Sequence, residues 1–215
     1  MPGRITPLVN NEFYHVYNRG VEKRDIFTSQ WDYRRFIKSF YYYQFQGPKP
    51  SFSKFSESKS NIFKPLSENK IVEIICYCLM PNHFHFLVRQ LKENGIPTFI
   101  SQLSNSYTKY FNIKYVRVGA LFQGAFKVVM IETDEQLIHL SRYIHLNPVV
   151  SGLVTSLDQV RWSSYHEYMN QSTICSISEI LNFFPSTKSY KEFLENQIDY
   201  GTNLEIIKHQ TLENN

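Results

Sequence analysis

A chain of 215 residues with 42% hydrophobic side chains can bury one substantial core, which excludes a disordered polymer. The net charge of +4 permits a nucleic-acid partner without demanding one. No apolar run reaches the ~18 residues of a membrane span and the N-terminus lacks a secretory apolar stretch, so a cytoplasmic location is expected.

Glu12 to Arg19 is rich in β-formers and stops at Gly20, which predicts a strand. The spacing of Trp31, Phe36, Ile37, Phe40 and Tyr41 predicts a helix over 30–46, capped near Thr28 or Ser29 and ended by Gly47 and Pro48. Residues 49–69 are Ser/Lys-rich without a period and read as a long excursion. Ile71 to Met80 reads as a buried strand, Pro81-Asn82 as a turn and His83 to Arg89 as the returning strand. Pro97 opens a helix bearing Ile100, Leu103, Tyr107, Tyr110 and Phe111, and Ala125 to Glu132 is a fourth strand. Thr133 with Gln136 resembles a capping box for a further helix, which Pro148 should end or kink at Asn147. Arg161 to Tyr165 reads as a docking segment. Two short helices follow, with capping signatures at Ser176/Glu179 and Ser189/Glu192, and the last ten or so residues should fray.

This order predicts an α+β, ferredoxin-like (RRM-like) βαββαβ sheet, with an added C-terminal helix on its other face and a small helical tail. Cys76 and Cys78 lie two apart on one strand, so with Cys175 they are expected to be reduced thiols. In a strand, alternate side chains share a face, so His83 and His85 point one way and Phe84, Phe86 and Val88 the other, towards the crossover helices. Two neutral imidazoles can reach one ion, although a hydrogen-bonded polar sheet face is the plainer explanation of the pair alone. Tyr143 and Asn147, at i and i+4, share one side of their helix; Asn147 could coordinate a metal, cap the helix end, or both. Tyr107 and Tyr110 belong to a core stripe, His139 is an alternative base, ligand or surface residue, and His145 points elsewhere.

Met80-Pro81-Asn82-His83-Phe84-His85-Phe86-Leu87-Val88 resembles the histidine-hydrophobe-histidine motif of single-tyrosine transposases of the insertion-sequence 200/605 type. Ser141 to Val149, with Tyr143, Asn147 and Pro148, resembles the tyrosine helix of their REP-associated branch, as do Tyr14 to Gly20 and Trp162 to Tyr165. The resemblance spans roughly residues 10–168, so residues 1–168 are expected to form the catalytic domain and 169–215 a helical extension. It implies cleavage and rejoining of hairpin-bearing single-stranded DNA through a 5′-phosphotyrosine link. Tyr143 would be the nucleophile, His83 and His85 metal ligands, and Asn147 a helper, with Mg²⁺ or Mn²⁺ bound. Arg34, Arg35, Lys38, Arg89, Lys109, Lys114, Arg117, Lys127 and Arg142 are candidate phosphate contacts. The enzyme is expected as a monomer or homodimer, the short Ile131-Glu132-Thr133 link favouring a monomer. Competing readings are a non-catalytic nucleic-acid-binding module of the same fold and a replication initiator or relaxase.

Overall fold

In the computed structural model, which describes residues 8–57, 66–170 and 174–196, strict alternation organises the first strand. β1 (Phe13–Arg19) buries Tyr14 and Val16 on one face and turns His15 and Tyr17 to the other. α1 (Gln30–Tyr43) starts from a capping box between Ser29 and Asp32. It ends three residues before the expected Gln46, because Phe45–Gln46 (β2) pairs with Asn69–Lys70 (β3). Part of the expected excursion is a short helix, α2 (Phe52–Glu57), whose Phe55 packs on the core. Residues 58–65 of that stretch lie outside the described residues.

β4 (Val72–Met80) and β5 (His83–Gln90) form a hairpin, followed by α3 (Gly95–Lys114), β6 (Lys127–Ile131) and α4 (Asp134–Val150). The sheet order is β4-β5-β1-β6, with all neighbours antiparallel. β1 and β4 therefore run parallel with β5 between them, and the α+β arrangement of four strands and crossover helices is present as expected. α1 and α3 pack together over Phe84, Phe86 and Val88, forming the first core. On the opposite face, α4 covers Cys76, Cys78, Met80 and Leu87, and a second core grows around it.

α3 starts two residues ahead of Pro97, which sits in the first turn, where its missing N–H costs no helical bond. α4 runs past Pro148 to Val150, so of the expected end or kink at Asn147 the end does not occur. A proline so near the end forfeits one helical bond, while Ser151 N–H still reaches the Asn147 carbonyl at 3.0 Å. Beyond it come α5 (Tyr165–Met169), α6 (Ser178–Leu181) and α7 (Thr187–Glu195). The expected caps shift. Ser176 N–H bonds the Ile74 carbonyl at 2.9 Å instead of starting α6. Ser186, not Ser189, caps α7 by accepting from Ser189 N–H at 3.1 Å. The last ten residues lie outside the described ones.

β4 is an edge strand, and later chain covers its open side. Leu79 N–H donates to the Trp162 carbonyl at 2.8 Å, and Ser164 N–H donates to the Tyr77 carbonyl at 3.0 Å. A bulge between Ile74 and Cys76 frees the Ile75 carbonyl to accept from the Tyr168 hydroxyl at 2.9 Å. All three cysteines are buried, and none of them forms a disulfide. Among the described residues, no helix is long and apolar enough to cross a membrane.

Candidate active site

Pairing between β1 and β5 sets Tyr17 opposite His85 and Arg19 opposite His83, so one patch of the sheet gathers His15, Tyr17, His83 and His85. α4, lying over the same face, brings Tyr143 to His85 with ring centroids 5.4 Å apart and nearly perpendicular. Tyr143 is 48% exposed. It stands at the rim of a hollow of about 400 Å³ lined by Tyr17, Asn18, Arg19, Lys23, Asn82, His83, His85, Gln123 and Lys127. The charged lining residues, Arg19, Lys23 and Lys127, are all cations, which suits a phosphodiester.

Hydrogen bonding fixes the His83 tautomer and ties that of His85 to His15. His83 Nδ1 lies 2.6 Å from Asn82 Oδ1, an oxygen that only accepts, so Nδ1 carries the hydrogen and the lone pair sits on Nε2. His85 Nδ1 lies 2.9 Å from His15 Nε2; with Nδ1–H donating to His15, the His85 lone pair also falls on Nε2. Burial pushes the His85 pKa well below its usual value, with the His15 and His83 rings adding to the effect. Burial also lowers His15 to about 4. His85 and His15 are therefore neutral at pH 7. The His83 and His85 rings, each steadied through Nδ1, suit a divalent cation with mixed nitrogen and oxygen ligands. Among the described residues no cluster of three or more His, Cys, Asp or Glu side chains could hold a metal, so a third protein ligand would be of another kind. Asn147 is half-buried one turn along α4, outside the lining of the hollow.

The expected DNA contacts scatter. Lys127 lies at the hollow, over the Tyr17 ring. Arg89 is paired with Glu73 and Glu179, and Lys114 with buried Asp32. Arg142 stacks on Phe193, Arg35 on Phe52 and Tyr110, and Arg34 on Trp31, while Lys38 donates to the Ser56 carbonyl. Lys109 and Arg117 share a second hollow at the end of α3. Of the residues missed by sequence reasoning, His15 matters most; its signal was a polar side chain on the same strand parity as Tyr17. Asn18, Arg19, Lys23, Asn82 and Gln123 come from turns and strand ends, which carry no period.

A buried polar chain holds α4 in place. Ser141 Oγ donates to the Ile138 carbonyl at 2.7 Å and accepts from the Tyr190 hydroxyl at 3.1 Å. With its proton so used, the Tyr190 oxygen accepts from His145 Nδ1 at 2.8 Å, and His145 Nε2 accepts from Ser164 Oγ at 2.8 Å. Ser164 Oγ in turn accepts from Tyr77 N–H at 2.9 Å. His145 is fully buried and its pKa is lowered by burial to about 3. The neutral ring thus ties the tyrosine helix to the β4 edge and to α7.

Comparison with known proteins agrees with this geometry at the level of class. The family model described as IS200-like transposase matches residues 49–147, a stretch that takes in both histidines, Tyr143 and Asn147. A putative REP-associated tyrosine transposase of Haemophilus influenzae is 28% identical over 115 residues, covering 48% of this chain and 65% of that protein, a little under two thirds of its length. A solved structure of a REP-associated tyrosine transposase bound to a REP hairpin aligns with a TM-score of 0.51 at 15% identity, covering 79% of this chain and 86% of that one. At that identity the likeness is one of fold. The resemblance to the single-tyrosine, IS200-like transposases is shown, and with it the likeness to their REP-associated branch.

Proposed function

We propose that this chain cleaves and rejoins hairpin-bearing single-stranded DNA as a REP-associated type of tyrosine transposase, with Tyr143 as nucleophile. The observation that carries the reading is the approach of Tyr143 to His85 within one chain, at a half-open hollow whose charged residues are cations. The Tyr143 oxygen attacks the scissile phosphorus in line, forming an O–P bond as the P–O3′ bond breaks. The phenolic proton leaves and the departing 3′ oxygen ends as a hydroxyl. A later 3′-hydroxyl attacks the phosphotyrosine and restores a phosphodiester and the phenol, so no energy-rich cofactor is consumed. Arg19, Lys23 and Lys127 hold the strand by its phosphates. His83 and His85, through Nε2, would hold Mg²⁺ or Mn²⁺, with Asn147 contributing its amide oxygen after a side-chain adjustment. When bound, the ion polarises a phosphate oxygen and offsets the charge developing in the transition state. His15 and Asn82 orient the two imidazoles. Since Tyr143 meets His85 within one chain, a monomer suffices for the chemistry.

The test is incubation with labelled hairpin DNA and Mn²⁺, followed by denaturing electrophoresis and peptide mapping. Wild type should yield a covalent adduct mapped to Tyr143, and Tyr143→Phe none. DNA binding by wild type with no adduct would return the reading to a binding module.

A further inference from the structure

The link from α3 to β6 breaks two local rules at once. Val116 follows the Tyr115 cap with φ +50°, a left-handed position that favours glycine and is rare for a β-branched residue. It is also 94% exposed, beside Val118 at 93% and Ile113 at 72%. Strain and bare apolar surface in the same few residues call for a partner.

The tip is braced. Asn112 Oδ1 accepts from Arg117 Nη1 at 2.9 Å, and its Nδ2 donates to the Gly119 carbonyl at 2.9 Å. Arg117 N–H closes the helix on the Asn112 carbonyl at 2.8 Å, and the Tyr115 hydroxyl donates to Asp32 at 2.7 Å. The valines are thus presented on a fixed loop. Lys109 and Arg117 flank them around a shallow hollow of about 530 Å³. The chain then runs directly to the candidate active site, where Gln123 N–H meets the Arg19 carbonyl at 2.8 Å.

We propose that this tip is a wedge for DNA: Val116 and Val118 enter an unstacked base step of the hairpin while Lys109 and Arg117 take the neighbouring phosphates. The proposal rests on the DNA-hairpin reading above. A second copy fits poorly, because three side chains fall short of the ~800 Å² per partner of a stable interface. Two-fold pairing would also press Lys109 and Arg117 against their own copies.

The test uses the full chain and hairpin DNA selected by wild type from a randomised-stem pool, with 2-aminopurine placed through the stem. Val116→Gly relieves the backbone, so it should melt about 2–4 °C above wild type. It should nonetheless bind the hairpin about tenfold more weakly and abolish the fluorescence rise that marks unstacking. Val118→Ser should weaken binding in the same direction. Hairpin affinity within twofold of wild type in both variants overturns the wedge, as does a wild-type dimer that Val116→Gly dissociates in sedimentation. Failure of wild type to select any hairpin would instead overturn the DNA reading itself, and the wedge with it.

Discussion

Tyr190→Phe isolates the device that seats the tyrosine helix. The ring, fully buried in the second core, is kept, and only the hydroxyl goes. Two hydrogen bonds vanish: the one accepted from His145 Nδ1 at 2.8 Å and the one donated to Ser141 Oγ at 3.1 Å. Ser141 still donates to the Ile138 carbonyl, but His145 Nδ1–H is left buried and unsatisfied. A stranded donor of that kind costs ~1–3 kcal/mol, so urea unfolding should show a loss of about 2 kcal/mol, roughly 30-fold in the folding equilibrium. His145→Leu removes the donor itself, so the double variant should lose less than the two single losses added, by at least ~0.5 kcal/mol. With α4 loosened two residues from Tyr143, single-turnover adduct formation should slow while hairpin affinity stays within about twofold. A destabilisation below ~0.5 kcal/mol, or strict additivity with His145→Leu, would refute the chain of bonds and the tautomer assigned from it.

Three further outcomes are expected. Burial lowers His145 to about 3 and His15 to about 4 from 6.5, so the unfolded chain takes protons that the folded one refuses. Stability should therefore fall on acidification from about pH 6.5, each group removing ~2 kcal/mol by pH 5; a flat urea profile between pH 7 and 5 would contradict this. Burial alone would raise Asp32, but bonds from Lys114, Tyr115, Tyr110 and Thr28 outweigh it and bring the pKa from 3.8 to about 2. Asp32→Asn should cost ~2 kcal/mol at pH 7, with the gap to wild type closing as pH falls through about 2, measured by chemical denaturation. His15→Ala should weaken Mn²⁺ binding ~10–100-fold in calorimetric titration while the fold persists, and unchanged affinity would remove His15 from the imidazole support.

Alternation made the sheet legible. The parity of Phe84, Phe86 and Val88 against His83 and His85 places the core beneath the crossover helices and leaves the histidine face to a later helix. The i, i+4 spacing likewise put Tyr143 on a helix across from the histidines. What escaped was non-local. Phe45 and Gln46 look helical until Asn69 and Lys70 arrive to pair with them. Arg89 looks like a phosphate ligand until Glu73 and Glu179 converge on it from elsewhere. His15 lies in the Tyr14–Gly20 segment, but its role depends on the β1–β5 register that sets Tyr17 opposite His85. Charge and periodicity record what one segment prefers; ion pairing and imidazole support depend on which segments meet.

The covering of β4 bears on how this protein can be cut. The stretch matched to the transposase family ends at residue 147, before Trp162, Ser164 and Ser176 have closed the strand's outer side. A fragment trimmed to that boundary would bare a nearly wholly apolar nine-residue border, with unmet amides and carbonyls ready to zip onto another molecule. The last segments act as a selvedge along that border.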